Sequence, residues 1–203
     1  LSSLEELRLY ANKLSDITPL EGLTQLKQLY LSRNKVVSLV PLAALTSLET
    51  LYADGNLLTD LDGIQAMAAL TELDCSLNQI TEISALEDLT QIQKLTLYNN
   101  LLVDISPLQY ITCLVKLRLD RNMITSAHPL ALNVGLDEGD EVLIPENPLS
   151  QDSLCNDIPA LLDRNFDLRC EVCAEAVSEK NRNMVALARS TGASAKFTGS
   201  GGA

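Results

Sequence analysis

The chain has 203 residues, 46% hydrophobic and only 3% aromatic, with no Trp and a formal net charge of −12. Its length suffices for a core of its own, but so acidic a balance excludes the basic footprint that non-specific nucleic-acid or anionic-membrane binding requires. So few aromatic residues also argue against an enzyme built around a large pocket.

No apolar run approaches the roughly 18 residues of a membrane span, and no basic–apolar–small leader opens the chain. A cytoplasmic protein is expected, with the nucleus as the alternative. Five cysteines without a framework spacing fit a reducing compartment. The chain opens on Leu1, inside a repeat, so its natural N-terminus is expected to lie upstream.

Taken in chain order, the sequence repeats every 22 residues, from Leu1, Leu23, Leu45, Met67, Leu89 and Ile111, without a gap until after Leu130. Position 12 is Asn12, Asn34, Asn56, Asn78, Asn100 and Asn122. Position 4 is Leu4, Leu26, Leu48, Leu70, Ile92 and Leu114, and position 7 is always Leu. Position 9 is Leu9, Leu31, Ala53, Cys75, Leu97 and Leu119. Positions 7 and 9 alternate as in a short strand, so both point to one face. No unit can bury that face alone, whereas stacked units make a continuous core. The Asn turns the chain out of the strand, and its amide can bond neighbouring backbone groups in a ladder. Cys75 occupies a core slot and is read as a small buried hydrophobe.

After six units the pattern slips by three residues. Val142, Ile144, Asn147 and Leu149 restore the spacing, and the insertion falls in the Gly- and acid-rich "LNVGLDEGDEV". "NPLSQDSLCNDIPALL" then reads as the outer, helical side of a seventh unit. His128, followed by Pro129, reads as an outer turn residue. As the single histidine of the chain it allows neither a His-based triad nor a multi-histidine metal site. Cys170-Glu-Val-Cys173 lacks the further ligands of a zinc site and reads as two incidental helix cysteines.

The L-x-x-L-x-L-x-x-N-x-L unit, with endings such as "LSDITPLEG", resembles the leucine-rich repeat, in particular internalin-type bacterial repeats and those of the phosphatase-regulating nuclear family. The resemblance covers residues 1 to about 164. It implies an α/β fold: a curved solenoid of about seven repeats with short parallel strands on its concave face and a helical C-terminal extension. It also implies that the inner face binds another protein, without catalysis or cofactor. A monomer that engages neither nucleic acid nor membrane is expected.

The inner face should be lined by positions 6, 8, 10 and 11. Tyr10, Tyr30, Tyr52 and Tyr98 fall there, and tyrosine is enriched among interface anchors. So do Arg8, Arg33, Lys94, Lys116, Arg118 and Arg121, against Glu6, Asp54, Glu72, Asp74 and Asp120. The basic residues cluster toward both ends, above all from Lys94 to Arg121, where a partner's acidic patch could dock.

Residues 1–160 are thus assigned to the solenoid and residues 161–203 to a tail. "VSEKNRNMVALARSTG" has a cap at Ser178, a modest apolar stripe and a stop at Gly192, then "SAKF" and a Gly-rich turn. "LLDRNFDLR" followed by "NMVALARSTGASAKFTGSGGA" resembles the C-terminal lobe of GHMP sugar kinases, above all glucuronokinases. By that resemblance Lys196, Thr198, Gly199, Ser200, Gly201 and Gly202 are an incomplete phosphate-type loop. The family's main Gly-Leu-Gly-Ser-Ser loop and its N-terminal lobe are absent, so this chain is expected to have no kinase activity of its own. At the junction, Phe166 and Leu168 lie 24 residues after Val142 and Ile144 and could form one more strand. The kinase likeness favours helix from about Asp167.

Overall fold

The computed structural model describes residues 3–137, 139–162 and 167–168. Its frame is one parallel sheet in strict sequence order. The strands are β1 (Glu6–Arg8), β2 (Gln28–Tyr30), β3 (Thr50–Tyr52), β4 (Glu72–Asp74), β5 (Lys94–Thr96), β6 (Lys116–Arg118), β7 (Glu141–Leu143) and β8 (Asp167–Leu168). Register follows the sequence period: Leu7 pairs Leu29, Leu29 pairs Leu51, and so on to Leu117. The result is a leucine-rich solenoid curved around this sheet.

Each strand is short because the chain turns out of it at position 12. There each interior Asn is buried and bonds two successive repeats. Asn78 is representative. Its Nδ2 donates to the carbonyls of Cys75 and Ser76 in its own repeat and of Ala53 in the preceding one, each at 3.0 Å. Its Oδ1 accepts from the Leu58 amide, also at 3.0 Å. Asn34, Asn56, Asn100, Asn122 and Asn147 repeat the arrangement.

The residue just before the Asn is always left-handed. Ala11, Arg33, Leu77, Asn99, Arg121 and Glu146 all have φ between 54° and 57°, and Gly55 has φ 64°. A side chain in this region is costly, at roughly 1–2 kcal/mol. The repeat accepts that cost six times and relieves it once with glycine.

The outer side is built from 3₁₀ turns at Thr18–Leu20, Val40–Leu42, Ser84–Leu86 and Ser106–Tyr110, and from helix α1 (His128–Leu132). A polar side chain at position 16 starts each one. Asp16 accepts from the Thr18 amide, Ser38 from Val40, Glu82 from Ser84, Asp104 from Ser106 and Ser126 from His128. The Thr18 bonds also hold the Asp16 carboxyl below its usual range. Pro19, Pro41, Pro107 and Pro129 follow at a position that needs no donor. In the third repeat Gly63 takes the proline slot, because a Cβ there would lie 2.4 Å from the Leu39 carbonyl oxygen.

Between these sides lies one continuous core, from Ile17 to Leu161. Leu29, Leu51, Leu73, Leu95 and Leu117 are all at most 1% exposed. Cys75 is wholly buried, and burial pushes its thiol well above the usual range, so it is a core residue as expected.

Beyond β6 the three-residue slip is absorbed around Asn133, which is buried and donates to the Leu108 and Ile111 carbonyls. Gly135 allows the loop to touch the preceding repeat, since a Cβ would sit 1.9 Å from the Thr112 carbonyl oxygen. After β7 a π turn (Ser153–Asp157) leads into α2 (Ile158–Leu162), the helical outer side expected for the seventh unit. His128 lies on the outer side as expected. It is joined to the buried Asp157, with Nδ1 3.0 Å from Oδ1.

The helix expected from about Asp167 does not begin at Asp167 or Leu168. Asp167 and Leu168 pair with Glu141 and Val142 as β8. A last solenoid strand exposes a row of unpaired N–H and C=O groups, and pairing them outweighs local helix preference. Leu168 lies opposite Val142, two residues away from the register suggested by its spacing from Ile144. The expected tail helix and Gly-rich loop lie outside the described residues.

Two predictions follow from the backbone. Asn78→Ala strands several buried backbone groups, each costing about 1–3 kcal/mol. Asn12, exposed and bonded only to the Leu9 and Tyr10 carbonyls, should tolerate the same change with a loss below about 1 kcal/mol. Urea denaturation of both variants measures the difference. Gly55→Ala should lower stability by about 1 kcal/mol, while Leu77→Asn should raise it by up to a similar amount, read as opposite shifts in melting temperature.

Candidate binding face

Positions 7 and 9 point into the core, so positions 6, 8 and 10 line the free face of the sheet. Because the register is constant, each position becomes a row across the arc. One row runs Arg8, Tyr30, Tyr52, Asp74, Thr96 and Arg118 in register.

In the N-terminal half this row and its neighbour form a connected chain. Arg8 is paired with Glu6, and its guanidinium carbon lies 5.3 Å over the Tyr30 ring. The Tyr30 and Tyr52 rings meet edge to face, with centroids 5.2 Å apart and planes at 86°. The Tyr52 hydroxyl donates to Glu72 Oε1 at 2.5 Å, and Glu72 Oε2 is paired with Lys94 at 3.4 Å. Burial, then the Glu72 carboxylate, push the Tyr52 phenol far above its usual range, so it stays a donor. Glu6, Arg8, Tyr30, Tyr52, Glu72 and Lys94 thereby link five strands.

The C-terminal half has its own cluster. Arg118 lies 4.8 Å from the Tyr98 ring centroid and donates to both carboxylate oxygens of Asp120, at 3.3 and 3.1 Å. Lys116 is paired with Glu141 at 3.1 Å and Arg121 with Glu146 at 3.0 Å. The Glu146 carboxylate raises the Arg121 guanidinium further above its usual value. Glu141 and Glu146 come from the seventh repeat. Counting charges on the first six leaves these partners out, and extending the same columns across the insertion would have found them.

Between the halves stand Asp54 and Asp74. Asp74 accepts from the Ser76 amide and hydroxyl. Its carboxyl is nonetheless raised, first by burial and also by Asp54, against the opposing Ser76 bonds and the more distant Arg118. Tyr10 is 58% exposed, and Arg33 is exposed with no ion pair among the described residues.

The sequence-derived face residues are thus brought onto one surface, with Tyr30 and Tyr52 as a ring pair, Tyr98 beside Arg118 and Tyr10 apart from both. Lys196, Thr198, Gly199, Ser200, Gly201 and Gly202 lie outside the described residues, as do Cys170 and Cys173. Among the described residues no group of three or more His, Cys, Asp or Glu side chains could hold a metal ion. No helix among them is long and apolar enough to cross a membrane.

The leucine-rich-repeat family model for two repeat copies matches residues 2–44, 24–66, 46–88 and 68–110 in overlapping pairs. Among solved structures, an internalin of Listeria monocytogenes is 27% identical with a TM-score of 0.71, over 84% of this chain and 48% of that one. Internalin C2 of the same organism is 28% identical with a TM-score of 0.62, over 81% of this chain and 80% of its own. A leucine-rich-repeat protein of Leptospira interrogans is 25% identical with a TM-score of 0.72, over 82% of this chain and 42% of that one. This chain therefore spans about half or less of two of these relatives. No curated protein sequence matches it. These matches carry the internalin-type likeness and lend no support to a likeness with phosphatase regulators or sugar kinases. With the repeat model matching more than half of its length, the chain belongs to the leucine-rich-repeat family.

Proposed function

We propose that the chain is a protein-binding module that engages its partner on the concave face of the sheet and performs no chemistry of its own. The observation that carries this reading is the row Arg8, Tyr30 and Tyr52 with its Glu72–Lys94 extension. A ring pair held edge to face and tied down at the Tyr52 hydroxyl is pre-organised, so less side-chain freedom is lost when a partner covers it. Tyrosine and arginine are also the residue types that dominate binding energy at protein interfaces. Such an arrangement contributes little to a solenoid whose core lies on the opposite side of the strands. The partner is another protein, and the chain acts as a monomer.

Tyr30→Ala combined with Tyr52→Ala is the direct test. The loss of the ring pair costs about 0.5–1.5 kcal/mol beyond area burial, so circular dichroism should be unchanged and the melting temperature only slightly lower. Capture of a specific protein from a lysate of the source cells should fall at least tenfold. Equal capture by wild type and the double variant would overturn the reading.

A further inference from the structure

The charges on the concave face are unevenly compensated. Over seven repeats, positions 6, 8, 10 and 11 carry the cations Arg8, Arg33, Lys94, Lys116, Arg118 and Arg121. Five of these are clasped by Glu6, Glu72, Glu141, Asp120 and Glu146 respectively. The basic clusters at the two ends are therefore already spent on neighbouring carboxylates, and an acidic patch on a partner would have to break those pairs. Apart from Arg33 at the rim, the charges left without an ion pair among the described residues are Asp54 and Asp74, at the middle of the arc.

The surroundings of this pair are shaped as well as charged. In register, Asp74 stands between Tyr52 and Thr96. In the adjacent row Ser32, Asp54 and Ser76 are followed by Tyr98, so three short side chains lie beside a ring. Tyr52 on β3 and Tyr98 after β5 are two strand spacings apart and offset by two residues along the strands, about 12 Å at the backbone. Both rings are held, Tyr52 by Glu72 and Tyr98 by Arg118. A cation that enters between them meets the Tyr52 ring and a carboxylate floor, while the Tyr98 ring already carries the Arg118 guanidinium. Such a site favours arginine or lysine through cation–π attraction and charge, worth more here than on an open surface because the site is partly desolvated.

We propose that the partner docks by inserting an arginine or lysine side chain of an exposed basic segment between Tyr52 and Tyr98, where Asp54 and Asp74 receive it. This rests on the reading of the concave face as the binding surface and specifies the partner's chemistry. Burial and the neighbouring Asp54 both disfavour the Asp74 carboxylate, and an incoming cation offsets them. The net charge of −12 draws a basic segment to the chain at long range.

The test is selection of displayed random dodecapeptides on the wild-type chain, followed by fluorescence polarisation of the selected peptides. Three proteins are compared: wild type, Asp54→Asn with Asp74→Asn, and Tyr30→Ala with Tyr52→Ala. The selected pool should be enriched several-fold in Arg and Lys over the input. Binding should drop at least tenfold in the Asn variant and weaken steeply from 0.05 to 0.5 M salt. Asn keeps the shape of Asp and still accepts from Ser76, so this variant should melt at or above the wild-type temperature. A pool enriched in Asp and Glu, or no enrichment, or equal affinity for the Asn variant, would overturn the proposal. Peptides that lose affinity for the Tyr variant but not for the Asn variant would leave the concave-face reading standing and remove this one. Peptides indifferent to the Tyr variant would remove both.

Discussion

The buried asparagine at position 12 is the constraint on which the rest of the molecule depends. One side chain bonds its own repeat and the repeat before it, so it sets the spacing between them and the point at which each strand ends. Its bonds are made with backbone groups that would otherwise be stranded between core and solvent, and no buried side-chain N or O atom among the described residues lacks a partner. The left-handed residue before each Asn is a consequence of the same geometry. It recurs whether that residue is Ala, Arg, Leu or Glu, so the ladder outweighs the local preference.

Constant register converts a one-dimensional repeat into a two-dimensional surface. Residues 22 apart in sequence become neighbours across strands, and the face is then read by rows rather than by segments. Edge-to-face Tyr30 and Tyr52 are one result, and the Glu72 carboxylate shared between Tyr52 and Lys94 is another. The surface ion pairs add little to stability individually, since exposed pairs contribute about 0–1 kcal/mol. They neutralise the cations at both ends and leave the carboxylates of Asp54 and Asp74 at the middle of the arc without an ion pair among the described residues.

The C-terminal end obeys different rules. Repetition stops there, and specific contacts replace the ladder: Asn133 against the Leu108 and Ile111 carbonyls, Ser153 accepting from the Ala127 amide, and His128 against Asp157. Ile158 and Leu161 close the core, and β8 pairs the outer edge of β7. A solenoid end without such cover would expose both apolar side chains and unpaired backbone.

The period, the position-12 asparagines and the alternation of positions 7 and 9 were sufficient, by themselves, to establish the solenoid, its core and the identity of its inner face. Each is a nearest-neighbour property repeated six times, so sequence spacing and spatial spacing coincide. The caps at position 16 and the left-handed residue at position 11 follow the same columns but involve several residue types, which obscures them in the sequence. Only the tertiary structure decided which charges on the face are free. Lys116 and Arg121 find Glu141 and Glu146 across the insertion, and the ring of Tyr52 turns toward Glu72 rather than solvent. The fate of Asp167 and Leu168 was likewise decided by the open edge of β7 rather than by local propensity. Pairing of charges and closing of an edge depend on what lies opposite in space, and that is set only once the strands have stacked.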